Sequence, residues 1–140
     1  MSGFLLDTNV LAELIKPGPD CNVLRWVEEA DETLLFLSVL TLGEIRSGIA
    51  RLSRSACRGR LETWLQVDLR ARFQDRILPI GEDIADRWGT ISGAAATRGR
   101  PVPVIDGLLA ATALSHNLTL VTRNASDFAG IDVAVLNPWL

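Results

Sequence analysis

The sequence predicts an α/β fold in which a parallel sheet is covered by helices on both faces. Short apolar runs recur along the chain, and the first four lack an alternating polar face, the mark of strands buried on both sides. Stretches of helical periodicity fill the gaps between them, and strands separated by helices favour parallel pairing.

The first strand is read at Gly3–Leu6, and it runs straight into Asp7. A helix follows over Thr8–Lys16 and stops at Pro17-Gly18. Asp20 stands where an N-cap is needed for a second helix, Cys21–Ala30. Thr33–Leu37 forms the second strand. Val39–Leu52 is helical, with Leu42, Ile45, Ile49 and Leu52 on one stripe. A further helical stretch, about residues 55–74, carries Leu61, Trp64, Leu65 and Leu69. The third strand is read at Arg76–Ile80. Helices over Glu82–Arg98 and Ile105–His116 flank the clearest loop, Arg98-Gly99-Arg100-Pro101, and Asn117 supplies a C-terminal stop. Leu118–Thr122 and Val133–Leu136 complete the strands. No internal repeat, low-complexity tract or linker interrupts the pattern, so one domain is expected over residues 1–140.

Bulk properties narrow the function classes. Hydrophobic residues make up 48% and mean hydropathy is +0.22, enough for a sizeable core. No apolar run approaches the roughly 18 residues that span a bilayer, so no membrane association is expected. The opening MSGFLL has no basic stretch before its apolar run, so no secretory signal is expected. Cys21 and Cys57 form no CxxC pair, which suits a reducing cytoplasm and argues against a disulfide framework or a zinc site. Net charge is −3, yet residues 46–76 hold eight arginines against Glu62, Asp68 and Asp75. Such asymmetry suits either a phosphate-facing surface beside an acidic site or a solvated helical hairpin.

Four acids fall at element junctions. Asp7 ends the first strand, Glu44 lies on the helix after the second, Asp106 opens the helix before the fourth, and Asp127 follows the fourth, three residues beyond Asn124. Each has a structural reading. Asp7 and Asp106 suit helix caps, Thr41-Leu-Gly-Glu44 matches a capping box, and Asp127 suits a turn. In an open parallel sheet, however, the carboxyl ends of the strands share one edge, where ligands bind. Two carboxylates about 5 Å apart repel by about 3 kcal/mol at an effective dielectric near 20, so a cluster of them takes up protons or a cation. An all-oxygen set favours Mg²⁺ or Mn²⁺ over zinc. Such an ion positions a water, lowers its pKa and neutralises phosphate oxygens.

The stretches LLDTNVLAEL, LTLGEIRSGI, VIDGLLAATAL and LVTRNASDF resemble, in order and spacing, the four motif blocks of the PIN-domain ribonucleases. The likeness is greatest to the VapC-type toxins of bacterial toxin–antitoxin pairs, and the closing VLNPWL is similar to the end of some members. The resemblance implies a parallel five-stranded sheet in the order 3-2-1-4-5 with helices on both sides. It implies Asp7, Glu44 and Asp106 as metal ligands. The fourth acid of the family stands either at Asn124 or at Asp127, and here only Asp127 is ionised. Thr8 and Thr122 look like the family's small hydroxyl residues beside the metal. The function so implied is a Mg²⁺- or Mn²⁺-dependent endoribonuclease, with water attacking the phosphodiester to leave a 5′-phosphate and a 3′-hydroxyl. The implied partners are an RNA substrate, a cognate antitoxin and a second copy of the chain in a homodimer.

RNA contacts are expected from Arg46, Arg51 and Arg54 and from Arg98 and Arg100 in the loop. The chain has no Tyr, and its Phe and Trp read mainly as core, so phosphate contacts rather than base stacking are expected to dominate. Histidine catalysis is disfavoured, because the only histidine, His116, lies about 15 Å along its helix from Asp106 at ~1.5 Å per residue. A phosphoacceptor domain would need a lysine near the last strand, and the sole lysine is Lys16. A phosphatase would want Asp-x-Asp where the chain reads Asp7-Thr8-Asn9. The remaining alternative is a catalytically weak binding module that acts through a protein partner.

Overall fold

The computed structural model describes residues 2–140. Strands β1 (Phe4–Leu6), β2 (Leu35–Ser38), β3 (Ile77–Leu78), β4 (Thr119–Val121) and β5 (Val135–Leu136) form one sheet in the order β3-β2-β1-β4-β5. Every pairing is parallel. Both the class and the strand order expected from sequence hold.

The strands are shorter than the apolar runs, for local reasons. Thr33 and Leu34 are drawn into a 3₁₀ turn, Glu32–Leu34, because the Asp31 carboxylate accepts from the Thr33 N–H at 3.0 Å. Pro79 follows Leu78 at once and cannot donate to a ladder, which ends β3. Leu118 is spent on closing the preceding helix: its N–H donates to the Ala113 carbonyl at 2.8 Å across Asn117, whose φ is +54°. That is a Schellman closure with Asn in the left-handed position, as the sequence suggested.

The helices are α1 (Thr8–Leu14), α2 (Cys21–Glu29), α3 (Val39–Ala50), α4 (Ala56–Thr63), α5 (Arg70–Arg72), α6 (Glu82–Thr97) and α7 (Val104–Ser115). Asp20 caps α2 by accepting from the Asn22 and Val23 N–H groups. Between α4 and α5 the chain widens into a π-helical stretch, Trp64–Leu69, which turns Leu65 and Leu69 into the core. The sequence carries only helical periodicity there and gives no sign of the wider turn.

Alternate residues of a strand serve opposite faces. Leu6 and Val121 pack with side chains of α1, α2, α3 and the π-helical stretch on one face, while Leu5 and Leu120 pack against Leu109, Ala110 and Ala113 of α7 on the other. Leu5 and Leu6 are both 0% exposed, so either one truncated to Ala costs about 2–5 kcal/mol. This two-sided burial fixes β1 at the centre of the sheet and sets where its carboxyl end emerges. The chain order reverses between β1 and β4, and the Asp7 N–H donates to the Val121 carbonyl at 2.9 Å across that switch point. No helix among the described residues is long and apolar enough to cross a membrane.

Candidate functional site

Asp7 begins α1 and is both a cap and a site residue. Its Oδ1 accepts from the Thr8 N–H at 2.7 Å, and its Oδ2 accepts from the Thr122 hydroxyl at 2.9 Å. Thr122 is buried and itself accepts twice, from Asn9 Nδ2 at 3.2 Å and from the Asn124 N–H at 3.1 Å. Those two donors occupy both lone pairs of the hydroxyl, so its single proton is directed to Asp7. Two segments far apart in sequence, residues 7–9 and 122–124, thereby hold one carboxylate, which is only 8% exposed.

Glu44 does not take part in a capping box. The N-cap of α3 is Ser38, whose hydroxyl accepts from the Leu40 N–H at 3.0 Å, so the helix begins before Thr41 and Glu44 lies in its second turn. Glu44 Oε1 instead accepts a 2.6 Å hydrogen bond from the Thr8 hydroxyl, 36 residues away. Thr8 and Thr122 thus orient two different carboxylates. Glu44 lines a groove of about 550 Å³ with Thr8, Gly43, Ser47, Arg51 and Ile105.

Asp106 lies in the first turn of α7, but the cap position is Pro103, so its carboxylate is not needed as an N-cap. The start of α7 is set by α6: a Cβ on Gly107 would stand 2.9 Å from Trp88 Cδ1, so only glycine lets the indole pack against that turn. Asp127 sits in a 3₁₀ turn, Ala125–Phe128, closed by its N–H donating to the Asn124 carbonyl at 3.0 Å. The backbone makes the turn, and the exposed carboxylate is left for other work.

The four acids feel one another. Partial burial pushes the Asp106 carboxyl above the usual carboxylate range, and the charges of Asp7, Asp127 and Glu44 push it further. Burial also raises Asp7; the Thr122 hydroxyl and the Thr8 N–H oppose this, and the Asp127 charge adds to it. No lysine or arginine forms an ion pair with any of the four among the described residues. In charge and donor type the set fits a hard divalent cation. Its spacing does not form a closed cage, since no three Asp, Glu, His or Cys side chains among the described residues are placed to hold one ion.

The arginines divide sharply. Arg58 is paired with Glu62 at 2.9 Å, while Arg72 and Arg76 are both paired with Glu32, so part of the basic segment is neutralised within the fold. Arg51 lines the Glu44 groove and donates to the Ser47 hydroxyl at 3.0 Å. Arg46 is half-buried, and Arg54 and Arg100 are exposed. Arg98 donates to the Gly130 carbonyl at 3.0 Å, which commits it to loop structure. His116 terminates α7, as expected. Two residues at the site carry more than the sequence suggested. Asn9 and Arg123 flank Thr122, and the only available hint was the polar Asn in Asp7-Thr8-Asn9.

Known proteins share this fold. The PIN-domain family model matches residues 4–133. Toxin FitB of Neisseria gonorrhoeae is 38% identical over 96% of this chain and 97% of its own length. VapC ribonuclease Y4jK of Sinorhizobium fredii is 33% identical over 96% of each chain. The solved structure of FitAB bound to an IR36 DNA fragment superposes with a TM-score of 0.92 at 36% identity, covering 98% of this chain and 96% of that one. With its fold, its four motif blocks and nearly its whole length matched, the chain belongs to the PIN-domain family.

Proposed function

We propose that the chain is a divalent-metal-dependent endoribonuclease and the toxin of a toxin–antitoxin pair. The observation that carries this reading is a set of four carboxylates at the carboxyl edge of the sheet, three of whose charges bear on Asp106, with no ion-pair partner for any of them among the described residues. Relatives named as a toxin and as a VapC ribonuclease support it.

Asp7, Glu44 and Asp106 would supply carboxylate oxygens to Mg²⁺ or Mn²⁺, with waters completing a shell that the side chains as placed do not close. Such an ion supplies positive charge for phosphate oxygens and a bound water of lowered pKa. Thr122 keeps Asp7 an acceptor, and Thr8 fixes the direction of Glu44, so two donors of the set are oriented before any ion arrives. Asp127, exposed at the rim, would orient the attacking water and take up its proton. Arg51 shares the Glu44 groove and would meet the substrate phosphates there.

The antitoxin reading has its own support. An apolar trough of about 250 Å³, lined by Ile15, Ile45, Gly48, Leu52, Leu61 and Trp64, opens beside Thr8 and Glu44. An amphipathic segment lying there would bring an Arg or Lys to the acids, replacing the metal's charge. FitAB and VapBC complexes among the structural neighbours support such a partner, and a homodimer is part of the same reading.

Mapping cleavage sites in cellular RNA, with and without Mg²⁺, tests the reading. Metal-dependent scission by the wild type, lost in Asp7→Asn, is expected. Equal scission by both proteins would assign any nuclease activity elsewhere.

A further inference from the structure

The basic segment drew attention to the α3 side of the site, but the β4–β5 side carries a charge built with more care. Arg123 follows Thr122 directly, and its backbone is clamped from two directions. Its N–H donates to Asn9 Oδ1 at 3.3 Å, and its carbonyl accepts from Asn137 Nδ2 at 3.3 Å. Asn137 Oδ1 accepts from the Trp139 N–H at 2.9 Å, and the Trp139 carbonyl accepts from Asn22 Nδ2 at 2.9 Å. The guanidinium then lies over the Trp139 ring, 5.2 Å from its centroid. A guanidinium over an aromatic ring is attracted by the ring without spending its N–H donors on a carboxylate.

The charge on Arg123 is not consumed nearby. Glu13 is the acid that feels it, and Glu13 already pairs with Lys16 at 2.9 Å and accepts from the Asp20 N–H at 2.9 Å. Among the described residues no carboxylate lies within ion-pair distance of Arg123, which is exposed. Across the carboxyl edge of the sheet, Arg51 and Glu44 therefore lie on the β2 side, Asp7 at the centre, and Arg123 on the β4–β5 side.

We propose that Arg123, seated over the Trp139 ring, is a phosphate-binding residue that receives the RNA strand on the β4–β5 side of the acids, opposite Arg51. The inference rests on the ribonuclease reading and adds a direction to it: the strand crosses the sheet edge from α3 to the C-terminal Asn137–Trp139 segment. Pre-orientation by the ring lowers the entropy lost when the two N–H edges grip a phosphate.

The probe is a fluorescein-labelled single-stranded uridine oligoribonucleotide, bound to the Asp7→Asn protein over a series of salt concentrations. Adding Arg123→Ala to that background is expected to weaken binding roughly tenfold. The slope of log affinity against log salt should fall by about 0.7, the amount for one phosphate contact on a single strand. Trp139→Leu keeps the charge but frees the side chain, so affinity falls while the slope changes little. Arg123→Lys, also lacking the planar fork, should recover the slope but not the full affinity. In otherwise wild-type protein, Arg123→Ala should raise KM for cleavage and leave kcat in place. Arg70→Ala, on exposed α5, serves as the control that changes neither. Unchanged RNA affinity and slope in Arg123→Ala would overturn the inference, also where that variant instead loses a protein partner. That result leaves the ribonuclease reading intact, because the reading depends on whether Asp7→Asn abolishes scission.

Discussion

Two clusters of charge in this molecule, one of mixed sign and one of a single sign, do opposite things. At one, Glu32 binds Arg72 at 3.0 Å and Arg76 at 3.3 Å, and Arg76 also donates to the carbonyls of Glu32, Leu35 and Arg72. The Arg72 guanidinium holds the Glu32 carboxyl below the usual range. At the other, the charges of Asp7, Asp127 and Glu44 bear on Asp106, none of the four has a basic partner among the described residues, and Asp7 and Asp106 are pushed up, first of all by burial. The first cluster is complete and stitches the helix before β3 to the turn before β2. The second is left unbalanced by the fold, and in the proposed function a divalent cation balances it. Charge that the fold balances internally reads as structure; charge it leaves unbalanced at a strand edge reads as function.

Exchanging single acids for amides separates the two clusters most strongly. Asp7→Asn, Glu44→Gln and Asp106→Asn should each lower RNA cleavage by roughly 10²–10³-fold, the scale for losing one group that stabilises a transition state. Glu32→Gln should leave cleavage unchanged. Cleavage that tracks Glu32 rather than the strand-edge acids would erase the distinction.

The next effect comes from the support of the site. Thr122→Val keeps the shape but strands Asp7 Oδ2, Asn9 Nδ2 and the Asn124 N–H. Urea unfolding should show a loss of about 1–3 kcal/mol, and cleavage should fall about tenfold. Restoring the hydroxyl as Thr122→Ser should recover most of both.

Stability against pH gives a smaller effect whose sign differs between the clusters. Asp106 has a folded-state pKa above its unfolded value, so the cost of its charge, from burial first and the neighbouring acids second, is absent below the carboxylate range and is felt as pH rises through the raised value. Metal-free Asp106→Asn should therefore melt a few degrees above wild type at neutral pH, with the gap closing in acid. Glu32 is depressed, so its contribution is present above its unfolded pKa and lost as pH falls through the folded one. Glu32→Gln should be destabilised at neutral pH by about 0.5–1 kcal/mol, the scale of an exposed pair, and that gap too should close in acid. Thermal melts from acid to neutral pH read both signs; two gaps of the same sign would contradict the contrast.

Much of this was legible in the sequence because it is written locally. Apolar runs without a polar face announced buried strands, and the acids stood at their ends. Asn117 and Asp20 marked helix limits by their own backbone chemistry. What was not legible depends on partners far along the chain. The Thr41–Glu44 spacing matched a capping box, but Ser38 starts the helix and Glu44 answers to Thr8. The eight arginines of residues 46–76 suited either a phosphate-facing surface or a solvated hairpin, yet Arg72 and Arg76 are spent on Glu32, 40 and 44 residues away. Asn9 reaches Thr122 across 113 positions, and Arg123 meets Trp139 only because β4 and β5 are neighbours. The π-helical turn at Trp64–Leu69 has no local signature that separates it from an ordinary helix.

Calorimetric titration of Mn²⁺ into the metal-free protein at neutral pH probes the unbalanced cluster directly. Saturable binding is expected in wild type and in Glu32→Gln, with a rise in melting temperature on saturation. Binding should be greatly weakened in Asp7→Asn and in Asp106→Asn. Failure of wild type to bind, or equal binding by all four proteins, would mean that the strand-edge carboxylates are not a cation site.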